Sequence, residues 1–415
     1  MQHLVGGISS GGRTVPDLEG RPFLVDRAQG AYVWDDQGRR YVDTALGFGA
    51  TFLGHNEPVV TEAIREALDR GSMPAYAHAL EEEAAASLAA HTQDLTKVVF
   101  VNSGSEAVHL ACRVARAVTG RRKIVKMAAG YDGWFDDMAF GNAGSAEAKM
   151  AATERPAQGD TLLLRFNDSQ DVERLFEDCD DIAAVVLEPM MANAGCILAA
   201  PGYLHHVALV ARSKGALVIM DEVLMGFRLH AGLASHLLGI QPDLATVGKA
   251  IGNGVAVAAL VGTQEVMAAF ENRGVTRAGT YNGNPVACAA VKAAMHALDR
   301  VDYAALQQSG NDLRQHTVDA FAREGVQVCT SGYGTVFTIW RGPNPPSNYR
   351  EAARMSDADF TARLHVALRR NGVMSMFSTY GRHYLSARHD DDVLQRWAGA
   401  TASAAREMAA GPAQR

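Results

Sequence analysis

Five short apolar runs in the middle of the chain each end on a polar or glycine-containing group. Val98–Val101 runs into Asn102-Ser103-Gly104-Ser105. Lys123–Met127 is followed by Tyr131, and Ala183–Leu187 by Glu188. Ala216–Met220 leads to Asp221-Glu222, and Leu244–Val247 to Gly248-Lys249. Patterns with apolar residues at helical spacing lie between several of them, notably Glu106–Val118 and Tyr203–Lys214. Near-continuous apolar strands alternating with helices predict a mostly parallel sheet covered on both faces. In such sheets ligands bind outside the carboxyl ends of the strands. Five strands ending on chemistry-bearing residues therefore describe one site.

The flanking segments read differently. Phe23–Asp43 alternates like a hairpin around an Asp-Gln-Gly turn. Val255–Val261 reads as one more strand, and Pro285–Leu298 as a long helix. Beyond it, helices alternate with short strands such as Val336–Trp340. The predicted organisation is an N-terminal segment, 1–49, packing with the small domain, a large α/β domain, 50–290, and a smaller C-terminal α+β domain, 291–415. Phe140–Asp160, rich in Gly, Ala and Ser, reads as a mobile active-site loop or a disordered surface loop.

Composition narrows the function. The 415 residues hold 39 basic and 46 acidic side chains, a net charge of −7, which opposes nucleic-acid and polybasic membrane binding. No apolar run reaches the roughly 20 residues of a membrane helix, and the first residues lack a basic-then-apolar leader. The five scattered cysteines include no C-x-x-C pair. They read as buried free thiols in a cytoplasmic protein with no metal site.

Three groups carry the chemistry. Ser103-Gly104-Ser105 opens a helix whose free N–H groups suit a phosphate, although Ser103 with Glu106 also fits an ordinary capping box. Lys249, among small and apolar residues, would be desolvated and nucleophilic. It is not part of a nucleotide-binding loop of the G-x-x-x-x-G-K-[ST] type: Asp243 and Ala250 stand where glycine and Ser/Thr are needed. Asp221 follows five apolar residues and needs a cationic or N–H partner. A Schiff-base lysine, an acid for a pyridinium nitrogen and a phosphate cup are what pyridoxal phosphate requires.

On these residues the sequence resembles the class III pyridoxal-phosphate-dependent aminotransferases of fold type I. The resemblance runs through Val101–Ala107, Glu188-Pro189, Asp221–Arg228, Gly248–Gly252 and Gly279–Pro285. It is nearest the branch containing glutamate-1-semialdehyde aminomutase, through Gly6–Arg13, Asp221–Arg228 with Phe227, and Pro242-Asp243-Leu244. The resemblance implies a large domain with a mostly parallel central sheet plus a smaller α+β domain. It implies that Lys249 carries the cofactor as a Schiff base and that Asp221 pairs with its ring nitrogen. Val223 and Tyr131 would flank the ring, with Glu188 near its hydroxyl side. Ser103, Gly104 and Ser105 would hold the phosphate together with Thr280 of a neighbouring subunit, in a homodimer with shared sites. Arg13 would bind a substrate carboxylate.

Four places depart from the family pattern. Asp132 replaces the usual histidine and lies beside the cofactor or points to solvent. Gly54–Pro58 reads as a structural turn. Arg382 reads as a second anion contact or a solvated surface residue. Met190 and Met191, with Asn193, either pack or shape substrate choice. The implied reaction moves an amino group between a carboxylate-bearing donor and an oxo-acid or aldehyde acceptor. The alternative is intramolecular transfer of the aminomutase type. A nicotinamide-dependent dehydrogenase would need G-x-G-x-x-G, which Gly248, Gly252 and Gly254 do not supply. A silent binding protein would have little use for Lys249, Asp221, Tyr131 and Thr280 together.

Overall fold

The computed structural model describes residues 3–18 and 20–410. Eight strands form its main sheet: β1 (Lys97–Val101), β2 (Lys123–Met127), β3 (Ala157–Gln158), β4 (Thr161–Leu164), β5 (Ile182–Leu187), β6 (Leu217–Asp221), β7 (Leu244–Val247) and β8 (Ala258–Gly262). Their spatial order is β1-β8-β7-β6-β5-β2-β4-β3. The pairs β7/β6, β6/β5, β5/β2 and β2/β4 are parallel, whereas β8 is antiparallel to both neighbours and β3 to β4. All six residues of β5 are buried, as expected for a strand covered on both faces.

The reversed β8 still leaves β1 running with β7, so the carboxyl ends of β1, β2, β5, β6 and β7 share one edge. Helix Gly104–Thr119 buries one stripe of Ala, Val, Leu and Cys side chains against the sheet and ends on Gly120 at φ 69°, a left-handed stop that glycine adopts without strain.

Two smaller sheets flank this body. Val25–Gln29, Tyr32–Asp35 and Arg40–Asp43 form an antiparallel meander, so the expected single hairpin has two turns. The extra turn arises at Gly30, whose φ of 57° reverses the chain early. Val373–Met374 joins the meander in parallel, pairing Val373 with Val42. The other sheet holds Val328–Tyr333, Val336–Arg341 and Arg382–Tyr384.

Two further expectations are revised. The strand anticipated at Val255–Val261 begins at Ala258, because the tight turn Gly252–Val255 precedes it. Phe140–Asp160 contains helix Ala146–Met150 and edge strand Ala157–Gln158, and Tyr349 accepts the Gly144 N–H at 2.8 Å. The turn Gly54–Pro58 is held by side chains: His55 meets Asp43 at 2.7 Å, and Glu57 pairs with Arg388.

Candidate active site

A cavity of about 760 Å³ opens at the carboxyl edge of the sheet. Tyr131, Asn193, Lys249, Arg382 and Tyr384 line it, and Ser10, Gly12 and Phe48 reach it from the N-terminal segment. Phe140–Asp160 contributes Asn142, Ala143, Gly144 and Lys149, so this segment forms a wall of the cavity.

Lys249 follows β7 directly. Its φ of 49° places a non-glycine residue in the left-handed region, a strain that is common where a side chain must be aimed. Its amine makes no hydrogen bond among the described residues. Burial and the nearby Arg382 guanidinium lower its pKa to about 8, which frees a lone pair near neutral pH.

Asp221 ends β6. Its Oδ1 accepts the Val223 N–H at 3.0 Å and the Thr246 hydroxyl at 3.1 Å. Oδ2 has no protein donor among the described residues. Burial, with Asp132 nearby, raises Asp221 to about 7; a cationic N–H at Oδ2 would reverse that shift. Its neighbour Glu222 is a structural counterpart, because its two oxygens accept the Ala234 and Ser235 N–H groups at 3.1 and 2.7 Å.

Between Asp221 and the start of helix Gly104–Thr119 lies Val223. A Cβ on Gly104 would stand 3.0 Å from both Val223 methyls, and one on Gly133, at φ +121°, would stand 3.1 Å from Ser105. Both glycines are thus needed for close backbone approach. The capping box predicted for Ser103 forms. Ser103 Oγ accepts the Glu106 N–H, and Glu106 accepts the N–H groups of Asn102 and Ser103. The Ser103 hydroxyl and N–H are therefore occupied, and the free donors at this helix start belong to Gly104 and Ser105. A free helix start, a half-exposed Tyr131 with its pKa raised by burial and Asp221, an unbonded amine and a carboxylate with one open oxygen fit a phosphorylated pyridine aldehyde.

Glu188 Oε1 accepts the Tyr131 N–H at 3.3 Å. Burial and the facing acids Asp132 and Asp221 raise its pKa well above the usual carboxylate range, which favours a proton on Glu188. Asp132 is 2% exposed and stands 3.4 Å from Lys126 Nζ. The solvent-pointing reading of Asp132 is thereby corrected: Lys126, buried in β2, draws its carboxylate inward.

Arg382 is also corrected from a solvated surface residue. It is 6% exposed, and its Nη1 donates to Asn193 Oδ1 at 2.5 Å. Nη2 meets the Met376 sulfur at 3.5 Å, and Nε is buried without a partner among the described residues. No carboxylate pairs with it among the described residues. Met190 and Met191 are fully buried in apolar clusters, and neither lines the cavity. Arg13 is exposed on the turn Gly11–Arg13 beside Gly12, and Thr280 is exposed on the turn before helix Pro285–Leu298.

The sequence reading passed over two buried cations. Lys126 was discoverable as the one charge at an inward position of an apolar strand. Arg228 is fully buried, bonded only to the Gly49 and Leu224 carbonyls, with Nη1 unpartnered among the described residues. Its Cζ lies 5.2 Å from the Phe52 ring and 5.3 Å from the Tyr384 ring. No pattern at that position distinguished it from an exposed arginine.

Comparison with known proteins completes the description. The family model for class-III aminotransferases matches residues 16–332. A curated relative, the glutamate-1-semialdehyde 2,1-aminomutase of Methanothrix thermoacetophila, is 34% identical over 397 residues, 94% of this chain and 91% of that protein. Among solved structures, a beta-phenylalanine aminotransferase from Variovorax paradoxus superposes with a TM-score of 0.86 at 30% identity, covering 97% of this chain and 90% of that one. A transaminase with bound pyridoxal phosphate reaches a TM-score of 0.87 at 26% identity, covering 98% and 95%.

Proposed function

This chain belongs to the class-III aminotransferase family of pyridoxal-phosphate-dependent enzymes with fold type I, and on that premise we propose that its donor carries a carboxylate and its acceptor is an oxo acid or aldehyde. The observation that carries the carboxylate is Arg382. A buried guanidinium that meets an amide oxygen and a sulfur but no carboxylate among the described residues retains most of its desolvation penalty until an anion arrives. A carboxylate would meet it with charge-assisted, paired hydrogen bonds. Asn193 fixes its direction without neutralising it.

Pyridoxal phosphate, when bound, supplies a carbonyl for amine exchange and an electron-withdrawing ring. The chain's own groups do the rest. Lys249 would be the attachment point and, once released, would take a proton at Nζ from the donor carbon and deliver it to the former carbonyl carbon of the cofactor. In the chain without cofactor, burial and Arg382 lower its pKa to about 8, which favours the unprotonated amine that attachment needs. Asp221 offers Oδ2 to the ring nitrogen. Gly104 and Ser105 offer N–H groups to the phosphate, Val223 and Tyr131 flank the ring, and a protonated Glu188 can donate to the ring's hydroxyl edge. Two half-reactions of this kind give ping-pong kinetics.

Arg13 and Thr280, both exposed in the single chain, fit a homodimer with shared sites. In it, Thr280 serves the phosphate of the partner's cofactor, and Arg13 offers a second carboxylate contact at the cavity mouth. Large exposed apolar side chains at Tyr76, Trp134 and Tyr281 support such an interface; they are 84%, 74% and 64% exposed. The unpaired cysteines fit a cytoplasmic location. No described helix is long and apolar enough to cross a membrane.

The second reading is intramolecular transfer, favoured by the 34% identity to the aminomutase. One experiment tests both. The visible absorbance of the cofactor-loaded protein is followed as single amino compounds are added without an acceptor. Bleaching by carboxylate-bearing donors, restored by a separate oxo acid, is the expected result. Bleaching only by simple amines would remove the role of Arg382. Multiple turnovers of one amino-aldehyde with no added acceptor would establish the aminomutase.

A further inference from the structure

His78 caps helix Ala79–Ala89 through its ring: Nδ1 accepts the Glu81 N–H at 3.2 Å. The opposite nitrogen, Nε2, donates to the Gly283 carbonyl at 2.8 Å. Together these bonds fix the tautomer, with the ring's donor on Nε2. A nitrogen that accepts from N–H carries no proton, and one that faces a carbonyl must carry it. Histidine is an unusual cap. Every other side-chain cap among the described helices is Ser, Thr, Asp or Asn, the types that cap best. What the imidazole adds is a donor on the far side of a rigid ring.

That donor reaches the turn Gly279–Asn284. Gly283 sits at φ +65°, and a Cβ there would collide with the Glu81 carboxyl, so the turn packs directly on the helix start. Asn102 Nδ2 pins the same turn from another side, donating to Asn282 Oδ1 at 2.8 Å. Asn102 immediately precedes Ser103-Gly104-Ser105. Asn284 closes the turn by capping helix Pro285–Leu298 through the Ala287 N–H at 3.0 Å. Thr280 projects from this pinned turn and is exposed in the single chain.

We propose that His78 is a positioning residue for cofactor binding: by holding Gly283 it sets the turn from which Thr280 meets the phosphate in the partner subunit's site. The inference rests on the reading of Thr280 given above. The test strips the full-length protein of cofactor and titrates it with pyridoxal phosphate and with pyridoxal, which lacks the phosphate. Wild type, His78→Ser and Thr280→Ala are compared. Serine keeps the helix cap and removes Nε2.

For His78→Ser we expect about tenfold weaker binding of pyridoxal phosphate, the effect of one hydrogen bond. Its pyridoxal affinity and bound-state absorbance maximum should match wild type. Wild-type affinity for pyridoxal phosphate in His78→Ser, with Thr280→Ala weakened, overturns the role of His78. Equal weakening toward both ligands overturns it as well, because the effect would not pass through the phosphate. Unchanged binding by Thr280→Ala removes the premise instead.

Discussion

Two lysines, Lys126 within β2 and Lys249 just past the carboxyl end of β7, differ in the respects that matter for chemistry. Lys126 Nζ donates to the Gly130 and Met138 carbonyls and to Asn142 Oδ1, at 3.2, 2.6 and 2.8 Å, and stands beside the Asp132 carboxylate. All three of its N–H groups are used, and an acidic side chain faces it at 3.4 Å. Lys249 has no hydrogen bond among the described residues and faces the cavity. Burial and two unmatched guanidinium groups, Arg382 and Arg228, press its pKa down to about 8. Burial alone therefore does not make an amine reactive. A saturated amine is structural, and an unsatisfied, desolvated one whose pKa is lowered despite the nearby Asp221 and Glu188 is a nucleophile.

The contrast is tested first at its reactive end. Lys249→Ala should lower turnover by about 10³-fold or more and change folding stability by less than about 1 kcal/mol, since no hydrogen bond is lost. Single-turnover absorbance and urea unfolding measure the two, and wild-type turnover would break the contrast. Lys126→Met should do the reverse. It strands the Asp132 carboxylate and should cost about 3–5 kcal/mol of stability. Adding Asp132→Asn should recover part of that loss; a Lys126→Met protein as stable as wild type would show that the pair is not structural.

Smaller effects sharpen the picture. Asp221→Ala should slow the first half-reaction by about 10²–10³-fold with the fold intact by circular dichroism. Arg382→Gln should raise KM for carboxylate-bearing donors by about 10–100-fold while leaving simple amines unaffected. The same variant carries a pH signature. Removing a positive neighbour makes the Lys249 amine easier to protonate, so its pKa rises from about 8. The pH at which the apo-protein captures an aldehyde should move upward. An unmoved profile would show that Arg382 does not govern the amine.

The sequence determined the sheet, because five apolar runs with polar ends admit few other arrangements. It also determined which residues gather at the carboxyl edge: Asp221 ends its strand, and Ser105, Tyr131, Glu188 and Lys249 each follow theirs within a few positions, so local order alone places them. What it left undecided depends on contacts between distant segments. Asp132 is drawn inward by Lys126, six residues earlier, only because both flank a strand end walled off by Met138 and Asn142. Arg382, 133 residues beyond Lys249, enters the cavity because the short strand Arg382–Tyr384 pairs with Val336–Arg341. Met190 left the site for the same kind of reason, its side chain turned into an apolar cluster by the hairpin Met190–Leu198. A charged side chain looks alike in sequence whether solvated, paired or stranded. Its desolvation and its partners are properties of the folded surroundings, and they, more than residue type, set what these groups can do.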